Sequence, residues 1–206
     1  MRRSISAALA VLAISGALRA EQAAALKVDV VKPLDRVSVD GARFAVVSNT
    51  ERILLRISFT GEPKSPGSTS PVPVYEITAT HLPDGEKVPI RQWPQGFGAR
   101  GNERVIELLV EVPIAAEQRQ QIVERYVDSE IASSTGQIQE ALRAQRSNAI
   151  AALQSVFVQN RTGDYAIKVR LADPRWPAGG GEVRVRIADK GTFANVLRAR
   201  PNKDRR

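Results

Sequence analysis

The sequence predicts a mainly β protein with an α-helical insertion: an immunoglobulin-like antiparallel β-sandwich that carries a helical hairpin or one long helix. Apolar and polar residues alternate in short segments over residues 26–113, which is the period of half-buried strands. The period becomes helical over 114–158, and alternation returns over 159–197. Turn residues separate the short segments at the spacing typical of a sandwich. The two β regions are therefore predicted to share one sandwich, with the helical segment inserted between them.

The clearest strands lie in the first β region. Ile53–Phe59 and Ile106–Val112 carry an apolar side chain at every second position, so each has one face suited to a core. Pro83-Asp84-Gly85 is a turn signal, because proline presets φ and glycine accepts a positive φ. It predicts a hairpin between Ile77–Ala79 and Val88–Ile90. This region is expected to supply most of the sandwich.

The segment 114–158 is predicted to be helical. Residues 115–157 contain no proline, and their apolar side chains recur at helical spacing. Ser133–Gly136 interrupts the pattern, so two antiparallel helices and one long rod both stay open. A pair of helices can bury its apolar stripe between the helices or on the sheet. A single rod would need a partner to cover the stripe, and a second copy of the chain would then make an oligomer. The stripe consists of Ile122, Tyr126, Ile131, Ile138, Leu142, Ala149, Leu153 and Val156.

The second β region is predicted to be a hairpin that completes or extends the sandwich. Ile167–Leu171 and Val183–Ile187 alternate, and Pro174–Pro177 together with three glycines at 179–181 connects them. Basic residues occupy the positions between the apolar ones, so they are expected to project from one face. The predicted basic binding face consists of Lys168, Arg170, Arg184 and Arg186.

The formal net charge of +8 is concentrated at the C-terminal end. Residues 24–113 carry 11 basic and 11 acidic side chains, whereas residues 159–206 carry 12 basic and 5 acidic ones, a net charge of +7. Like charges on neighbouring strands repel, and either an acidic partner or nearby carboxylates would offset the repulsion. Residues 198–206 are predicted to be a disordered basic tail, with peripheral membrane contact as its functional interpretation.

Residues 1–25 are predicted to be an export signal, which indicates a periplasmic or secreted protein. Arg2 and Arg3 precede an apolar run of 14 residues, Ile5–Leu18, which is too short to span a bilayer. Small residues suited to cleavage follow, so that the cut could fall after Ala17, Ala20 or Ala25. The chain contains no cysteine, so its core must be stabilised by packing without disulfides.

Aromatic side chains form a second candidate contact surface. Trp93 and Trp176 each stand just before a proline and near an arginine, and Phe97 lies between two glycines. We expect these three residues to lie in loops, where they could stack on sugar rings or anchor a partner protein. The alternative is that each indole folds back to close an open end of the sandwich.

The sequence predicts no catalytic site, no metal site and no cofactor. His81 is the only histidine, and it lies directly at the predicted hairpin turn. No nucleophile elbow, phosphate-binding loop or zinc-binding helix motif occurs. Gly96–Gly101 matches the glycine pattern of dinucleotide-binding proteins, but a strand follows it where that motif requires a helix. Paired carboxylates for glycoside hydrolysis stay open, because their separation depends on the fold.

Part of the N-terminal region resembles a known family. Asp35–Gly41, followed by Val47-Ser48-Asn49 and Leu54–Ile57, is similar to the first strands of the immunoglobulin-like domain of periplasmic pilus-type chaperones. The resemblance implies an immunoglobulin-like sandwich and a role in assembling surface fibres. The segment 114–158 departs from the family, because it interrupts the chain where those chaperones have a second sandwich.

The function predicted from these features is that of an exported, non-catalytic protein. It would bind another macromolecule in envelope or surface assembly, with an envelope protein or an acidic polymer as partner. Export and the lack of a recognisable module argue against nucleic acid. Two alternatives stay open: a pilus-type chaperone, and an envelope carbohydrate-binding or carbohydrate-active protein that uses Trp93, Trp176 and nearby carboxylates.

Overall fold

The computed structural model describes residues 26–61, 72–176 and 179–189 of the chain. The predicted export signal (1–25) and basic tail (198–206) lie outside these residues. The described strands are β1 (Lys27–Val30), β2 (Asp35–Val39), β3 (Ala42–Ser48), β4 (Ile53–Thr60), β5 (Tyr75–His81), β6 (Lys87–Val88), β7 (Arg91–Arg100), β8 (Glu103–Glu111), β9 (Gly163–Leu171) and β10 (Gly179–Ala188). The helices α1 (Ala116–Ser133), α2 (Gly136–Ala144) and α3 (Arg146–Val156) lie between β8 and β9.

Two sheets enclose one hydrophobic core. The first contains four strands in the order β1-β4-β8-β7, and the second contains six in the order β2-β3-β10-β9-β5-β6. The alternation predicted from the sequence decides which side chains enter the core: Leu55 and Ile57 are fully buried, whereas Arg56 between them is exposed. Strands β9 and β10 occupy the middle of the larger sheet. The prediction of a mainly β fold with a helical insertion is therefore confirmed.

The sandwich is not wholly antiparallel, which corrects the predicted arrangement. Strand β10 runs parallel to β3, with Val185 opposite Ala45 and Ile187 opposite Val47. The β2–β3 hairpin, which turns at Gly41 with a φ of 76°, brings β3 to this position. Alternation does not reveal strand direction, because parallel and antiparallel strands have the same period of two.

Strand β1 belongs to the smaller sheet but passes close to β10 of the larger one. At Gly181 a methyl group would overlap the carbonyl oxygen of Leu26 and would lie 2.8 Å from Cγ2 of Val28. Only glycine therefore fits at this point. This close approach closes one side of the core.

The three helices form a hairpin, which we call the helical arm. Helix α1 contains 18 residues, about 27 Å of helix, and α2 and α3 return beside it. Val123, Val127 and Ile131 of α1 are buried, and the principal contacts of the helices are with one another. The hairpin alternative is therefore the observed one. No helix in the described residues is long and apolar enough to cross a membrane.

Asn160 connects the returning end of the helical arm to the sandwich. Its side chain is almost fully buried, with Oδ1 accepting a hydrogen bond from the Val112 N–H at 2.9 Å. Its Nδ2 donates to the Glu51 carbonyl at 2.7 Å, and its backbone N–H donates to the Asn49 carbonyl at 2.7 Å. One side chain thus satisfies backbone groups from the end of β8 and from the β3–β4 turn.

Candidate functional site

The four predicted basic residues lie on the outer side of the six-stranded sheet. In the β9–β10 register Lys168 stands opposite Glu182 and Arg186 opposite Asp164, and their apolar neighbours in each strand enter the core. Carboxylates therefore occupy the same surface as the cations. We call this surface the polar face, and it comprises Lys168, Arg170, Arg184 and Arg186 together with Glu76, Asp164 and Glu182.

Every cation of the polar face has a carboxylate nearby. The guanidinium of Arg186 donates two hydrogen bonds of 2.7 Å to the two oxygens of Asp164. Arg170 lies 3.0 Å from Glu76, and Glu182 has Lys168 at 3.5 Å and Arg184 at 3.6 Å. Four cations thus face three carboxylates, and the repulsion expected between the strands is offset internally. A binding role for these four residues stays a prediction.

A groove crosses the polar face where the three glycines of β10 leave its floor without side chains. It has a volume of about 720 Å³, and Glu76, Lys168, Arg170 and Glu182 line it together with Gly179–Gly181. Paired charges of both signs at its rim do not favour a strongly acidic ligand.

Trp93 lies in strand β7 and not in a loop, which corrects the prediction. It pairs with Leu109 of β8, and Phe97 of the same strand pairs with Ile106 and packs against the core. The guanidinium of Arg52 lies 4.5 Å above the Trp93 ring, so the indole is partly covered. The pairing with β8, which shifts register between Pro94 and Gly96, turns this proline- and glycine-containing segment into a strand.

Trp176 belongs to the core and is not a surface contact. It is 4% exposed, and its ring meets that of Phe59 edge to face at 5.4 Å. The turn that carries it is held by Asp173, whose carboxylate accepts hydrogen bonds from the Arg175 side chain and from the Arg175 and Val74 backbone N–H groups. The Arg175 guanidinium, followed by these backbone donors, holds the pKa of Asp173 well below its usual range.

His81 is part of the hairpin turn that the sequence predicts. Its Nδ1 lies 2.9 Å from an Asp84 carboxylate oxygen, and its ring lies 5.2 Å from that of Tyr165. A hydrogen bond from the Glu86 backbone, and then the contact with His81, lower the pKa of Asp84. Among the residues that the structure describes, no group of three or more His, Asp or Glu side chains is arranged to hold a metal ion.

Arg52 is a residue that the sequence did not single out. Its Nε donates a 2.9 Å hydrogen bond to Glu111, a carboxylate that is almost fully buried. We expect Arg52→Ala to destabilise the protein by about 2 kcal/mol, because it leaves that carboxylate buried without its partner. The measurement is urea unfolding followed by tryptophan fluorescence, which also reports the uncovered Trp93. If the Arg52→Ala/Glu111→Gln double variant is no more stable than Arg52→Ala, the buried charge is not the cause.

The helical arm exposes an apolar strip on one side. Ile122 and Tyr126 of α1 each precede a buried valine, and α1 packs mainly on α3, so at 100° per residue they lie to one side of the helix contact. On the opposite side of the helical arm, Gln120 and Glu124 of α1 line a groove together with Ser147 and Ala151 of α3. Leu153 and Val156 lie on the other side of α3, so they share the side of the arm that carries Ile122. Tyr126 is 54% exposed and Val156 is 65% exposed. We define the apolar strip as Ile122, Tyr126, Ala149, Leu153 and Val156.

The sequence predicted this stripe but could not indicate which of its members remain accessible. Ile131, a member of the predicted stripe, is buried between the helices, whereas Ile138 near the tip is 67% exposed.

Comparisons of the chain with protein-family models, with curated proteins and with solved structures found no match to any of them.

Proposed function

We propose that this is an exported, non-catalytic protein that binds another protein during assembly of the envelope or of a surface structure. The helical arm carries the proposal. Its helices pack on one another and leave the apolar strip accessible. Contiguous exposed apolar patches on monomeric proteins are usually small, and larger ones commonly mark interaction sites. The charged, signal-like residues 1–25 support export.

We further propose that the sandwich has an immunoglobulin-like topology. In such folds the sheets follow the orders A-B-E-D and G-F-C, so β1, β4, β8 and β7 would be strands A, B, E and D. Strands β10, β9 and β5 would be G, F and C. The parallel pairing of β3 with β10 continues the second sheet. In this assignment the helical arm is an insertion between strands E and F.

The same assignment favours a second candidate function, that of a pilus-type chaperone. The proposed topology agrees with the resemblance of residues 35–57 to the first strands of that family. The helical arm is the feature that this candidate leaves unexplained. A gene for an outer-membrane usher beside the gene for this protein would support it, and the absence of one would count against it.

The first proposal is tested by site-specific photo-crosslinking in intact cells. A photoreactive amino acid at position 126 lies in the apolar strip, whereas one at position 121 is equally on α1 but points to another side. We expect a protein adduct of defined mass from position 126 and not from 121. The adduct should be lost when Val156→Ser is added, because this makes the strip polar without touching the buried seam of the arm.

Equal crosslinking from positions 121 and 126, or none from either, would contradict binding through the strip.

Export is tested separately by N-terminal sequencing of the purified protein. We expect the mature chain to begin at residue 18, 21 or 26, after one of the three predicted cleavage positions.

A further inference from the structure

A second groove lies on the outer side of the four-stranded sheet, beside its edge strand β1. It has a volume of about 700 Å³. Its walls come from β1, β4 and β8, from the connection between β1 and β2, and from the start of β2. We call it the edge groove. It is on a different sheet from the polar face and does not include the helical arm.

Two cations of the edge groove lie outside the ion pairs formed among the described residues. Lys27 and Arg56 lie 2.7 Å and 2.6 Å from Asp29 and Glu107. Lys32 and Arg36 also line the groove, and neither has an ion pair within the part of the chain that the structure describes. The lining of the edge groove holds four cations and three carboxylates, as the polar face does, but on the polar face every cation lies beside a carboxylate.

The backbone conformation constrains the position of Lys32. Lys32 has a φ of 53°, a conformation that side-chain-bearing residues rarely adopt, and Pro33 follows it. Arg43 of β3 does not line the groove but stands near Arg36 in the strand register, because Arg36 lies opposite Ala45 and Arg43 opposite Ser38. Arg36 and Arg43 are thus diagonal neighbours, about 7–8 Å apart at their backbones.

The groove also contains hydrogen-bond acceptors. Asp29, Glu103 and Glu107 line it, as does the hydroxyl of Ser58. Carboxylates repel any anion, but they accept hydrogen bonds from hydroxyl groups, which a simple anion such as phosphate offers in much smaller number than a sugar. A ligand that satisfies both kinds of group must carry a negative charge for Lys32 and Arg36 and hydroxyls for the carboxylates. The concave shape also fits a chain segment better than the plane of a membrane surface.

We propose that the edge groove binds a saccharide that bears carboxylate groups. Lys32 and Arg36 pair with a sugar carboxylate, while Asp29, Glu103 and Glu107 accept hydrogen bonds from ring hydroxyls. The site requires none of the predicted aromatic contacts, and it is independent of the protein partner proposed for the helical arm.

The experiment measures binding of a galacturonic acid tetrasaccharide to the purified protein by isothermal titration calorimetry. Its fully methyl-esterified form is the matched neutral probe, and inorganic phosphate is the competitor. We expect the Lys32→Gln/Arg36→Gln variant to bind the acidic tetrasaccharide about tenfold more weakly or worse, because two charge-assisted contacts are lost. The Lys168→Gln/Arg170→Gln variant, which removes the same charge from the polar face, should bind it as the unmodified protein does.

Four results would overturn the proposal. They are no binding of the acidic tetrasaccharide at millimolar concentration, equal binding of its methyl ester, unchanged binding by Lys32→Gln/Arg36→Gln, and complete displacement by phosphate at equal concentration. Urea unfolding of both double variants accompanies the titrations, and since all four positions are exposed, we expect unchanged midpoints.

Discussion

Replacing Asn160 by alanine should lower the free energy of unfolding by about 3 kcal/mol, because two backbone groups, one of them fully buried, lose their hydrogen-bond partners. The Val112 N–H loses its acceptor, and the Glu51 carbonyl loses its donor. Val112 is fully buried, so its N–H would gain no water in place of the lost acceptor. For a domain of this size the loss corresponds to a decrease in Tm of roughly 6–12 °C. Urea unfolding and a thermal melt followed by circular dichroism measure both quantities.

Asn148→Ala is the matched control, since Asn148 is an exposed asparagine in α3. We expect it to change the free energy of unfolding by less than about 0.5 kcal/mol. Equal stability of the two variants would show that the Asn160 side chain does not hold the arm to the sandwich. Because the hydrogen bonds join the base of the arm to the β3–β4 turn, Asn160→Ala should also speed amide hydrogen exchange in both places.

Replacing Gly181 by alanine should destabilise the protein by about 2–3 kcal/mol, because strands β1 and β10 would have to separate. The new methyl group would overlap the Leu26 carbonyl, and a backbone atom cannot rotate away as a side chain can. The measurement is again urea unfolding, in which the midpoint should fall while the slope is unchanged.

The neighbouring Gly180 provides the control. A methyl group there would lie 3.4 Å from the Val169 carbonyl oxygen, which is a tolerable contact. Gly180→Ala should therefore leave the stability within about 0.5 kcal/mol of the unmodified protein. Adding Val28→Ala to Gly181→Ala should not restore stability, since the overlap involves the backbone of Leu26. Restored stability would mean that side-chain crowding, and not the approach of the strands, is the cause.

Alternation was a reliable guide where a segment has one buried and one exposed side. Ile53–Phe59 and Ile106–Val112 were predicted correctly because burying Leu55 and Leu108 while exposing Arg56 requires a period of two. The break in the helical segment was also readable, because Ser133–Gly136 interrupts the apolar spacing where α1 ends and α2 begins.

Strand β7 was missed because its local sequence argues against a strand. Pro94 cannot donate a ladder hydrogen bond, and Gly96 and Gly98 have low strand propensity. Pairing with β8 stabilises it at the edge of the sheet, where unpaired backbone groups can face water. The loop position expected for Trp93 and Phe97 was wrong for the same reason.

The sequence by itself determined the mainly β class, the place of the helical insertion, and the positions of basic residues between apolar ones. These properties follow from the period along the chain, which is a local quantity. The tertiary structure alone decided that Arg186 pairs with Asp164, that Trp176 is buried against Phe59, and that Lys32 and Arg36 form no ion pair with any residue that the structure describes. Those outcomes depend on which strands become neighbours, and residues far apart in sequence carry no local signal of their pairing.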